Sequence, residues 1–249
     1  MSPDTTLTLT ARSIRLSRRN GEALLTALIL PVLLMLLFVH FFGGAINTGT
    51  DYVTYVTPGV LVLCAGFGAA STATTVSEDM KSGLIDRFRS LDIGPTPILT
   101  GHVAASVLRN TLSTALVLTL AVAIGFRPSP TPLGVLAATA LLLAYLLALS
   151  WLSAAVGLLT RTPEAAGGYA FFISFLPYPS SAFVPTRTMP SWLHPFADHQ
   201  PVTPLIESLR ALLLGQDAGT APWVALAWCA GILAVAAGAA GALFRWRTG

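Results

Sequence analysis

The sequence predicts an all-α polytopic membrane protein with six transmembrane helices, and three observations carry that reading. First, 54% of the 249 residues are hydrophobic and only 10% are charged, with a mean hydropathy of +0.72. Soluble domains carry ~25% charged residues, so a chain this poor in charge cannot cover a water-facing surface. Disorder is excluded by the same numbers, because it needs low hydrophobicity and many charges. Second, the apolar runs reach the ~20 residues that an α-helix needs to cross the hydrocarbon. They show none of the short alternation of barrel strands. Third, the basic residues flank these runs, so the net charge of +3 reads as membrane orientation rather than nucleic-acid binding.

The spans follow in order. Ala23–Thr50 holds the first, with Leu24–Phe42 as its apolar body and Pro31 as a kink. Tyr52–Ser77 is the second; Gly66, Gly68, Ala69, Ala70 and Ser71 give it a small-residue face for close helix contact. Thr96–Phe126 is the third, interrupted by Arg109. Leu133–Thr160 is the fourth, and Ala165–Val184 is the fifth, broken by Pro177 and Pro179. Pro222–Phe244 is the sixth.

Both termini are expected in the cytoplasm. That orientation puts Arg12, Arg15, Arg18, Arg19, Lys81, Arg87, Arg89, Arg161, Arg245 and Arg247 inside, against Arg127, Arg187 and Arg210 outside. The first apolar run is long enough to span and stay, so no cleavable signal peptide is expected. The whole chain, 1–249, reads as one membrane domain in the bacterial plasma membrane.

Three segments outside the spans carry patterns of their own. In 1–22, Leu7, Ala11 and Ile14 fall at helical spacing, with Arg12, Arg15 and Arg19 on another face. This reads as an amphipathic helix on the inner leaflet, or as a plain basic anchor. The inner segment 78–95 opens EDMKSGLIDRFRSLD and ends at Gly94-Pro95. Leu84, Ile85, Phe88 and Leu91 share one helical face, which predicts a short cytoplasmic amphipathic helix over Glu78–Asp92. The outer segment 185–221 is rich in proline but contains Trp192, Leu193, Phe196 and the helical pattern Leu205, Ile206, Leu209, Leu212, Leu213, with Gly215 as a C-cap. Short re-entrant helices packed on the bundle fit it better than a solvated loop.

Several chemistries lack their motifs. There is no G-x-x-x-x-G-K-[ST]; Lys81-Ser82 follows Met80, so no nucleotide is expected to bind this chain. No H-E-x-x-H or G-x-S-x-G occurs, so no catalytic residue, metal or cofactor is expected. Cys64 and Cys229 read as unpaired thiols within apolar runs. His40, His102, His194 and His199 are scattered; His194 and His199, with Asp198 between them, read as interfacial polar groups or a metal pair. Arg109 reads either as a contact in the bundle interior or as a side chain that snorkels to the inner interface.

Four stretches carry a resemblance to a known family. Tyr55-Val56-Thr57-Pro58-Gly59-Val60 opens the second span. Glu78-Asp79 with Gly83 precedes Asp86-Arg87-Phe88-Arg89-Ser90-Leu91. Leu158-Leu159-Thr160-Arg161-Thr162-Pro163-Glu164-Ala165-Ala166 leads into the fifth span. Ser181-Ala182-Phe183-Val184-Pro185, Met189-Pro190, Trp192-Leu193, Gln200-Pro201-Val202-Thr203-Pro204 and Glu207-Ser208-Leu209-Arg210 fill the outer segment. In this order they resemble the membrane subunit of type-2 ABC exporters of the daunorubicin-resistance kind. Asp92, Ala182 and Gln200 depart from that pattern, where Pro, Gly and Asn are common.

The resemblance implies an export permease for a hydrophobic or amphiphilic drug, natural product or lipid, with a role in multidrug or antibiotic resistance. It implies two ATPase subunits that hold the ATP and Mg, and a second copy of the permease. Coupling to the ATPase would fall to Glu78, Asp79, Gly83, Leu84, Ile85, Asp86, Arg87, Phe88, Arg89 and Leu91. The substrate path or exit gate would involve Arg109, Phe183, Val184, Pro185, Glu207 and Arg210. The alternatives are an ion-coupled secondary transporter, a lipid-acting membrane enzyme, and a permease for glycans or lipid-linked cargo.

Overall fold

A computed structural model describes residues 21–46, 48–82 and 95–248, and every regular element among them is helical. Helix α1, Gly21–Leu37, runs through Pro31 and continues as a π-helical turn, Phe38–Phe42. Then come α2, Tyr52–Lys81, α3, Pro95–Ala123, α4, Pro132–Leu159, and α5, Pro163–Ile173. Two 3-10 turns (Thr186–Thr188 and Ser191–Leu193) lead to α6, His194–His199, and α7, Val202–Leu213. Helix α8, Ala221–Thr248, closes the order.

Helices α2, α3, α4 and α8 are long and apolar enough to cross a membrane, so the chain is a multi-pass helical membrane protein. Local chemistry sets their starts. The Thr131 hydroxyl accepts a hydrogen bond from the Gly134 N–H at 3.0 Å, with Pro132 in the first turn of α4. Thr162 and Pro163 repeat the device at α5, where Thr162 accepts from the Ala165 N–H at 3.3 Å.

Two expectations are refined. The fifth segment is broken, as its prolines predict, but earlier than they stand: α5 stops at Ile173, and the chain continues in turns to Phe183. Pro177 and Pro179 have no N–H for the carbonyls of Ile173 and Phe175. The chain tightens instead. Leu176 N–H donates to Ile173 O at 3.2 Å and Tyr178 N–H to Phe175 O at 3.0 Å, so both carbonyls keep a donor. The inner amphipathic helix also does not begin at Glu78. Nothing breaks the backbone between Ser77 and Lys81, so Glu78 and Asp79 form the last turn of α2. Gly83, Leu84, Ile85, Asp86, Arg87, Phe88, Arg89 and Leu91 lie outside the described residues, as does the expected interfacial helix within 1–20.

Helix α2 is the axis of the bundle: 78% of its apolar window is buried, against 22% for α8. Its small residues allow the neighbours to approach. A Cβ on Gly59 would lie 2.7 Å from Ala182 Cβ, and one on Gly66 would lie 3.2 Å from Ser174 Cα. From the other side, Gly157 of α4 leaves room for Ala73 O and Val76. Without a hydrophobic force between helices in lipid, this close van der Waals contact holds spans together. A large cluster including Val56, Val60, Leu63, Leu146, Leu205 and Leu209 fills the bundle around the first two-thirds of α2. A smaller one (Val76, Ile98, Leu99, Val103, Leu158 and Phe244 among its members) joins the C-terminal ends of α2, α4 and α8 to the start of α3.

The outer segment packs as short helices. Pro195 and Pro204 sit in the first turns of α6 and α7, where a missing N–H costs least. Helix α7 buries Val202, Leu205, Ile206 and Leu209 and exposes Glu207. Its C-terminus is a Schellman motif, with Gly215 at φ +65 and Gln216 N–H donating to Ala211 O at 2.8 Å. The α3–α4 loop docks on this end: Ser129 N–H donates to Leu213 O at 3.0 Å.

Candidate functional site

Polar groups gather at three levels along α2. At the C-terminal end of α2, Asp79 Oδ2 lies 3.1 Å from His102 Nε2 of α3. Glu78 and Lys81 share this last turn of α2, with Lys81 exposed. Glu164 sits in the first turn of α5.

The middle level is a buried polar knot. Ser106 Oγ of α3 lies 2.8 Å from Thr72 Oγ1 of α2, 2.9 Å from Ser150 Oγ of α4 and 3.4 Å from Asn110 Nδ2. Three spans thus share one hydroxyl. In hydrocarbon a polar group finds its partners inside the protein, each such bond contributing about 0.6–2 kcal/mol. Arg109 stands beside the knot at the midpoint of α3. Its Nη2 donates to Gly68 O and to Thr72 Oγ1, both at 3.0 Å. Leu108 and Leu112, next to it along α3, are exposed, whereas Ser106 and Asn110 are buried. The guanidinium therefore reaches from the edge of the exposed side of α3 inward to α2.

At the level of the N-terminal end of α2, Arg210 of α7 joins three elements. Its Nη2 donates to Ser181 O at 2.7 Å and to Tyr55 O at 3.1 Å, and its Nε donates to Tyr55 O at 3.3 Å. The guanidinium carbon also lies 3.9 Å from the centre of the Tyr55 ring, in cation–π geometry. Nearby, the Tyr52 hydroxyl donates to Phe183 O at 3.0 Å, and the Phe183 ring stacks on Phe38 at 4.2 Å. Gln200 Nε2 donates to Pro179 O at 2.6 Å. These bonds meet the polar backbone of the non-helical stretch 174–184, as buried irregular chain requires. Val184 and Pro185 follow at partly buried positions, and Glu207 is exposed one turn before Arg210.

Of the residues expected in the substrate path, Phe183 and Arg210 thus share the level of the start of α2, whereas Arg109 belongs to the middle one. Sequence reading missed Tyr52, Tyr55, Ser106, His102 and Gln200 as participants. Tyr55 and Gln200 stood inside quoted motifs, but nothing in their spacing named Arg210 or Pro179 as partners. Among the described residues no cluster of His, Cys, Asp and Glu could hold a metal, and His194 and His199 bond separately to Met189 O and Pro195 O. Cys64 and Cys229 are buried and unpaired with each other.

Known proteins are similar to this sequence over most of its length. The chain is 29% identical over 232 residues to the daunorubicin resistance ABC transporter permease protein DrrB1 of Streptomyces coeruleorubidus, covering 92% of this chain and 82% of that protein. It is 24% identical over 234 residues to the probable doxorubicin resistance ABC transporter permease protein DrrC of Mycobacterium tuberculosis, covering 93% of this chain and 85% of that protein. It is 27% identical over 212 residues to the doxorubicin resistance ABC transporter permease protein DrrB of the same species, covering 78% and 70%. Residues 5–214 match the ABC-2 type transporter family, and the chain belongs to it.

Proposed function

We propose that the chain is the permease subunit of an ATP-driven exporter that moves amphiphilic, drug-like compounds out of a bacterial cell. The observation that carries this reading is the similarity to three drug-resistance permeases along nearly the whole chain. Relatives named as permeases of ABC transporters imply an ABC ATPase partner. ATP and Mg are then held by that partner, and this chain does no phosphoryl chemistry.

In this reading α1, α2, α3, α4, α8 and the broken segment 163–184 make six passes, with both termini inside. Two copies of the chain form the path. The apolar face Leu84, Ile85, Phe88 and Leu91 docks in a groove of the ATPase, and Glu78, Asp79, Asp86, Arg87 and Arg89, with Gly83 among them, belong to the same coupling segment. Arg210 latches the outer end by holding α7, Tyr55 and the non-helical stretch together. Phe183, Val184, Pro185 and Glu207 line that exit, and Arg109 lies along the path below it.

The test is uptake of doxorubicin by inside-out vesicles containing the chain and a co-expressed P-loop ATPase. The expected result is uptake that needs ATP and survives a protonophore. Uptake abolished by the protonophore and indifferent to ATP would replace this reading with the ion-coupled carrier.

A further inference from the structure

We infer that Asp79 and His102 are a positioning pair that makes the inner ends of α2 and α3 move as one body. A push on the segment between them then enters both helices together. The inference rests on the reading of that segment as the ATPase docking site. His102 belongs to none of the motifs by which the family resemblance was drawn.

The placement of the pair carries the argument. Asp79 sits in the last turn of α2, and His102 sits about two turns into α3. They therefore flank the inner segment on both sides, with Asp79 Oδ2 3.1 Å from His102 Nε2. The two side chains are only 15% and 7% exposed, so water competes weakly for the contact. On the bundle side lies the inner apolar cluster, with Val76 one turn before Asp79 and Leu99 and Val103 beside His102. A segment tied to two helices by chain alone can be displaced while the helices splay apart. A short polar tie between the helices removes that freedom. The apolar cluster then carries the displacement on to α4 and α8 through Leu158 and Phe244.

The experiment uses the full permease with its ATPase in inside-out vesicles and reads doxorubicin transported per ATP hydrolysed. His102→Leu is expected to keep ATPase binding and hydrolysis but to lose transport per ATP by about tenfold, within the range typical of coupling between sites. His102→Gln keeps an N–H for Asp79 and should retain most of it. Because His102→Leu could fold poorly, a second arm starts from Cys64→Ala, Cys229→Ala and adds Asp79→Cys with His102→Cys. The unbridged pair lacks the tie and should transport as poorly per ATP as His102→Leu; bridging it with a short bis-methanethiosulfonate should restore transport to within about twofold of the Cys64→Ala, Cys229→Ala parent. Transport that stays low or stalls on bridging would overturn the inference, because it would show that the two ends must separate. Wild-type transport per ATP in His102→Leu would also overturn it. Failure of the docking reading shows separately, as ATPase capture that survives Phe88→Asp with Leu91→Asp, and would remove the premise.

Discussion

Gly68 of α2 and Asn110 of α3 pack so closely that a Cβ on Gly68 would coincide with the Asn110 amide oxygen. The same glycine offers its carbonyl to Arg109. One residue without a side chain thus admits both a buried amide and a guanidinium beside α2, next to the knot around Ser106.

Gly68→Ala should therefore destabilise the bundle by about 1–3 kcal/mol, the usual cost of overpacking. Asn110→Ala in the same chain should recover most of the loss by removing the opposing amide. Thermal unfolding in detergent, followed by size-exclusion fluorescence, reads both. Unchanged melting of the single variant would mean that α2 and α3 do not meet there.

Arg210→Lys keeps the charge but loses the planar fork that reaches Ser181 O and Tyr55 O together, and the stacking on Tyr55. We expect export to fall about tenfold while membrane insertion is unchanged, because a buried bond to a charged group contributes about 1.5–3 kcal/mol. Tyr55→Phe should be mild, since the ring and the backbone carbonyl both remain. Doxorubicin efflux from cells expressing each variant measures the order; equal efflux by Arg210→Lys and wild type would remove Arg210 from the outer latch.

Phe88→Asp with Leu91→Asp puts two charges on the apolar face of the inner segment. Burying an unpaired carboxylate in a groove is far too costly to sustain, so co-purification with the ATPase should be lost. Membrane insertion should remain, because neither residue lies in a span. Normal capture of the ATPase would refute the docking assignment.

The orientation makes a separate prediction. Cysteines placed at Thr50 and Gly219, in the Cys64→Ala, Cys229→Ala background, should react with an impermeant maleimide from outside intact cells. One at Ser82 should react only after the inner face is exposed. External labelling of Ser82 would reverse the topology.

By itself, the sequence determined the solvent of this protein and the order of its elements. Long uncharged runs can only be placed in hydrocarbon, so α2, α3, α4 and α8 stood out within a few residues of their ends. The apolar spacing of α7 and its glycine cap were equally legible, because both are local: period 3.6 and a left-handed residue. Pro177 and Pro179 announced a broken fifth segment, but not that the helix would stop at Ile173, since tightening into 3-10 turns depends on neighbours able to satisfy the backbone. Those neighbours are Arg210, Gln200 and Tyr52, far away in the chain. The same holds for Asp79 with His102 and for Ser106 with Thr72 and Ser150. Hydrophobic periodicity says which residues must leave water. Only the packed bundle decides which polar groups, once out of water, face one another.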